Sequence, residues 1–138
     1  MSTELKNIIK KDLKKRNITP KSVLQTVKNS INGIICYARD GKSIILYLIG
    51  LIFEIVMGII FSINGLEWIL IICIMGILLS VELLNTAIEA ACDCITKSYN
   101  PLIRIAKDCG SGATFVIFLV AVILNLIIFI PKIIMLFQ

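Results

Sequence analysis

The chain has 138 residues, 58% hydrophobic and 17% charged, with a mean hydropathy of +0.96. That balance excludes an ordinary soluble domain and describes a chain built for lipid. The net charge of +5 reads as membrane topology and attraction to anionic lipid, and no aromatic-basic pattern supports a nucleic-acid partner.

Residues 1–42 form a lysine-rich segment expected on the cytoplasmic face. Leu5, Ile8, Ile9 and Leu13 repeat loosely at its start. From Thr19, which can cap a helix with Pro20 at its first position, Val23, Leu24, Val27, Ile31, Ile34 and Ile35 recur at helical spacing. This amphipathic helix suits the headgroup plane, where apolar burial and anionic lipid act together; a soluble partner helix is the alternative. The long stretch before the first apolar run, with no small-residue cleavage pattern after that run, argues against a cleaved signal peptide. Gly41, Lys42 and Ser43 spell the end of a P-loop, but the earlier glycine it needs would fall at Cys36 and no strand precedes it.

Residues 43–138 form the membrane domain. The run 44–63 holds one charge, Glu54, and about twenty apolar residues at 1.5 Å each cross a hydrocarbon core of roughly 30 Å. A second span is expected over 68–95, opening at Trp68, and a third over 112–130, stopping at Pro131. Nothing alternates with period two, so a barrel is excluded and the fold class is an all-α membrane protein with three transmembrane helices. Glu54 at mid-membrane reads as a buried partner within the bundle, and Asn125 on the third helix as interhelical glue. Cations cluster before residue 44, from Lys6 to Lys42, and are absent from the turn INGLE. The N-terminus is therefore expected inside the cell and the C-terminus outside. Lys97, Arg104 and Lys107 return to the inner side. Cys36, Cys73, Cys92, Cys94 and Cys109 then lie in the bilayer or on the reducing side, where no disulfide or zinc site is expected.

The informative stretch follows. On a helix Glu82, Asn85, Glu89 and Asp93 fall within roughly 80° of arc at about 100° per residue. Counted from Trp68, Glu82 lies about 21 Å along the axis and Glu89 about 31 Å, which brackets the inner edge of the core. Carboxylates at that depth need a partner or a purpose. Three acids on one face repel one another, and hard oxygen donors without histidine or thiolate favour Mg²⁺, which commonly arrives with phosphates. Glu82 can serve as a general base toward a lipid hydroxyl. In SYNPLIRIAKDCGSGA, Lys107 offers a point charge for phosphate and Asp108 accepts hydrogen bonds. Gly110, Ser111 and Gly112 let backbone approach a ligand, or simply let helices pack closely.

The run VELLNTAIEAACD followed by KSYNPLIRIAKDCGSGA resembles the signature of the prokaryotic diacylglycerol kinase family, over about residues 30–130. The SYNPL, AKDCGSGA and LEW segments look most like its Gram-positive branch, which phosphorylates undecaprenol. The resemblance implies an ATP-dependent, Mg²⁺-using, homotrimeric membrane lipid kinase, acting on undecaprenol or on diacylglycerol; a non-catalytic assembly protein of the same fold is the remaining alternative. It implies that Glu82 takes the proton from the lipid hydroxyl, that Asn85 orients the reacting centre and that Glu89 ligates the nucleotide-borne metal. Asp93, Ser98, Tyr99, Asn100, Lys107 and Asp108 would contact ATP, and Glu82 and Ser111 would meet the lipid. The family usually has a second metal-binding glutamate where this chain has Gly41. Asp40 is the nearest acid and is expected to replace it, although one residue along a helix turns a side chain by about 100°.

Overall fold

The computed structural model describes residues 20–39 and 42–137. The expectations resting on Leu5, Ile8, Ile9, Leu13, Thr19, Asp40 and Gly41 lie outside the described residues. Among the described residues four helices follow one another: α1 (Pro20–Arg39), α2 (Lys42–Ile60), α3 (Gly65–Ile95) and α4 (Pro101–Met135). No strand occurs among the described residues. The chain divides between Cys36 and Tyr37 into two compact units.

In the first unit α1 exposes the whole apolar stripe from Val23 to Ile35. Its polar side satisfies itself: Thr26 Oγ1 donates to Ser22 O at 2.9 Å and Ser30 Oγ to Thr26 O at 3.0 Å.

In the second unit α2, α3 and α4 are each long and apolar enough to cross a membrane. The turn between α2 and α3 is tightly specified. Ser62 N–H donates to Ile59 O and Ile63 N–H to Gly58 O, both at 3.1 Å, the two bonds of a Schellman cap. The residue at its left-handed position is Ser62, at φ 47°, where glycine is the usual occupant. Gly58 is required for another reason, because a Cβ there would sit 2.7 Å from Trp68 Cζ2. The first span therefore stops at Ile60, short of 63.

Asn64 then caps α3: Glu67 N–H donates to Asn64 Oδ1 at 3.0 Å, and Asn64 N–H donates to Glu67 Oε2 at 2.7 Å. This reciprocal capping box starts the helix nearly one turn before Trp68. Glu67 also pairs with Lys132 of α4 at 3.0 Å, tying the two helices together at that end.

α4 differs most from expectation. Asn100 Oδ1 accepts from Leu102 N–H at 2.9 Å with Pro101 at the first helical position, so the helix begins there and not at 112. It also runs through Pro131 to Met135. Pro131 leaves the carbonyl four residues back without its usual helical donor, and the helix continues for one further turn.

α3 packs chiefly on α4 and less extensively on α2. The core sets Ile71, Ile74 and Met75 of α3 against Ala121, Ile128 and Phe129 of α4, with Ile63 beside them. Phe61 and Phe129 meet with ring centroids 5.8 Å apart. Outward-facing Ile, Leu, Val and Phe along all three helices remain exposed, as suits helices with lipid for solvent.

Candidate active site

Because α3 is unbroken to Ile95, the spacing of Glu82, Asn85, Glu89 and Asp93 produces one polar stripe. Asn85 Nδ2 donates to Glu89 Oε1 at 3.4 Å, a long hydrogen bond that turns the Glu89 carboxylate along the helix. Asn85 Oδ1 is buried without a partner. It lies against Gly110 of α4, where any Cβ would overlap it. Glycine at that position is what lets α4 approach the stripe.

One turn further along α3, Asp93 is paired with Lys107 of α4. That ion pair holds the ammonium within electrostatic reach of Glu89. Asp108 turns elsewhere, as neighbours on a helix do, and its partner is Arg104 at 3.6 Å on the same exposed face. In the connection before α4, Ser98 N–H donates to Thr96 Oγ1 at 3.0 Å and Asn100 is spent on the helix cap. Tyr99 is 77% exposed.

Glu82 opens onto a cavity of about 770 Å³ whose walls are mostly apolar. Ser43 of α2 and Ser111 of α4 line it together with Glu82, and Glu54 and Asn125 line it as well. Asn125 Nδ2 donates to Glu54 Oε1 at 2.6 Å and to Ala121 O at 3.1 Å. Glu54, 5% exposed, thus has the bundle partner expected of it, and Asn125 is that partner.

Four features of this region are absent from the sequence reading. The Arg104–Asp108 pair is one, although its spacing is a readable ion-pair signal. Others are the Asn85–Gly110 approach and the Glu54–Asn125 bond, which need tertiary structure. The last is Tyr37, 1% exposed with its hydroxyl unpartnered. Burial pushes that phenol above its ordinary value, and the nearby charge of Glu82 pushes the same way.

Among the described residues no three acidic, cysteine or histidine side chains converge as a metal cage. Glu89 nevertheless offers a hard carboxylate oxygen, while Asn85 Oδ1 is closed off against Gly110. One carboxylate suits an Mg²⁺ ion that brings most of its own ligands as water and phosphate.

The model of the family Prokaryotic diacylglycerol kinase matches residues 28–129. A protein named Undecaprenol kinase from Bacillus subtilis (strain 168) is 40% identical over 78 residues, 56% of this chain and 63% of that protein. A Diacylglycerol kinase from Escherichia coli (strain K12) is 39% identical over 62 residues, 45% of this chain and 51% of that protein. The match spans less than two thirds of the length of either relative.

Proposed function

This chain belongs to the prokaryotic diacylglycerol kinase family, and from that membership we propose that it transfers the γ-phosphate of ATP to the hydroxyl of a membrane lipid, undecaprenol foremost. The observation that carries the reading is a carboxylate, Glu82, opening on a mostly apolar cavity, with Asn85–Glu89 and Asp93–Lys107 on the adjoining turns of the same helix face. A lipid chain fits the first, and a nucleotide phosphate suits the others.

The lipid lies with its chain in the cavity and its hydroxyl between Glu82 and Ser111. Glu82 accepts the hydroxyl proton as the oxygen forms its bond to the γ-phosphorus, and the bond from that phosphorus to the bridging oxygen of ADP breaks. Lys107, oriented by Asp93, holds the phosphates by charge, and Asn85 aims Glu89. Phosphoryl transfer asks chiefly for such positioning and charge neutralisation. Glu89 would hold a nucleotide-borne Mg²⁺, which when bound neutralises phosphate charge. Asp40 stands in for the ligand lost at Gly41; unchanged Mg²⁺ dependence in Asp40→Ala would remove it from that role.

Undecaprenol is preferred because a relative named for it is similar over the longer stretch. Diacylglycerol is the second reading, supported by the Escherichia coli relative. The site faces the cytoplasm, where ATP is, with the N-terminus inside, and the working unit is a homotrimer whose neighbouring copies close the open side of the stripe. Radiolabelled transfer from [γ-³²P]ATP to undecaprenol and to diacylglycerol in mixed micelles is the test. Faster labelling of undecaprenol is expected, faster labelling of diacylglycerol reverses the order, and labelling of neither removes the kinase reading.

A further inference from the structure

The Glu54–Asn125 bond has a position that packing alone does not explain. Among the described residues no Cα of α2 lies within 8 Å of a Cα of α4. A hydrogen bond nevertheless crosses between these helices at 2.6 Å. It bridges the space that the cavity occupies. The cavity wall on α2 runs from Ser43 to Glu54 and on α4 from Ser111 to Leu126, so the bridge stands at the end remote from Glu82.

The bridge is also chemically unfinished. Glu54 Oε2 and Asn125 Oδ1 are both buried with no partner, although both residues line the cavity. A hydrocarbon chain that went past them would have to part the 2.6 Å bond that crosses its path, at a depth where water cannot replace it. Such a chain gains by burial as far as the bridge and loses by going past it.

Depth gives this a scale. At 1.5 Å per residue Asn125 lies about 21 Å along α4 from Ser111, and Glu54 about 16 Å along α2 from Ser43. One leaflet of a bilayer core is roughly 15 Å thick. The cavity from Glu82 to the bridge is therefore about one leaflet deep.

The geometry points to Glu54 and Asn125 as a chain-length ruler: a polar bar that stops a lipid chain from threading deeper and turns the remainder out sideways into the bilayer. This rests on the lipid-kinase reading and adds to it which part of the lipid is recognised. The protein reads the hydroxyl and about one leaflet's length of chain, and ignores what lies beyond. Two residues 71 apart in sequence thus set the length of chain that the site reads within each kind of lipid alcohol.

The test is kcat/KM for phosphate transfer across polyprenols from geraniol to undecaprenol, and across diacylglycerols of rising acyl length, in the wild type and in Glu54→Leu combined with Asn125→Leu. The wild-type value is expected to rise with length and become flat once the chain fills one leaflet. In the double variant the rise should continue, with undecaprenol gaining at least threefold over the chain at which the wild type levels off. A wild-type profile with no plateau overturns the ruler without any variant, as does an identical plateau in a folded double variant. In those cases transfer still occurs and the kinase reading stands. Transfer to no lipid in either series defeats both.

Discussion

Asn85 offers the sharpest single perturbation, because one amide both orients Glu89 and lies against Gly110. Asn85→Leu keeps the size and removes the donor. A hydrogen bond to a charged acceptor contributes about 1.5–3 kcal/mol, and the 3.4 Å length argues for the lower figure. About 1.5 kcal/mol corresponds to roughly a tenfold loss. Asn85→Asp is harsher, since it sets a second carboxylate at a comparable separation from Glu89. Two like charges about 3.4 Å apart repel by about 5 kcal/mol at an effective dielectric constant of about 20, and by about 1 kcal/mol in bulk water. The assay is initial-rate kinetics at varied MgATP and fixed lipid. Asn85→Leu is expected to lower kcat/KM for MgATP about tenfold with little change in KM for lipid, and Asn85→Asp to lower it further at low Mg²⁺. Equal effects of the two substitutions, or a wild-type kcat/KM for MgATP in either, would refute the assignment of Asn85 to the orientation of Glu89.

Lys107→Ala should raise KM for MgATP at least tenfold while leaving KM for lipid near its wild-type value, and Asp93→Asn should raise it less, because the ammonium survives but loses its orientation; initial rates at varied MgATP, and separately at varied lipid, read the difference. Ser62→Gly should stabilise the folded chain by up to about 1 kcal/mol by relieving a left-handed residue that carries a side chain, whereas Gly58→Ala should destabilise it by about 1–3 kcal/mol through the clash with Trp68. Thermal unfolding in one detergent measures both. Tyr37 has its phenol raised above 10.0, so its neutral form stabilises the fold below that pH and the stabilisation is lost as pH rises through the folded value. Tyr37→Phe should flatten the loss of stability seen above about pH 10.

How much of this was legible depended on whether the signal was local. The stripe from Glu82 to Asp93 was readable because helical spacing fixes the face of a residue without any tertiary knowledge, and α3 is helical throughout. The three spans were readable from apolar length, but their ends were not. The Asn64 and Glu67 pattern is a capping signature in plain sequence that the apolar count overrode. The polar residues Arg104, Lys107 and Asp108 suggested a connection, yet they form the exposed and ion-paired first turns of α4. Pro131 looked like a stop because proline in a helix interior is disruptive, yet α4 continues one turn beyond it. Glu54 and Asn125 were each recognised as needing a partner within the bundle. That they partner each other across a cavity follows only from the packing of α2 and α4 around α3.

The central claim is that Glu82 takes the proton from a lipid hydroxyl at the mouth of the cavity. Its most direct test compares Glu82→Gln with the wild type for transfer of ³²P from ATP to undecaprenol, with binding of MgATP and of lipid measured on the same preparations. Binding within a few-fold of wild type together with loss of transfer by at least about a hundredfold, the contribution general-base catalysis commonly makes, is the expected result. Transfer by Glu82→Gln at the wild-type rate would contradict the account.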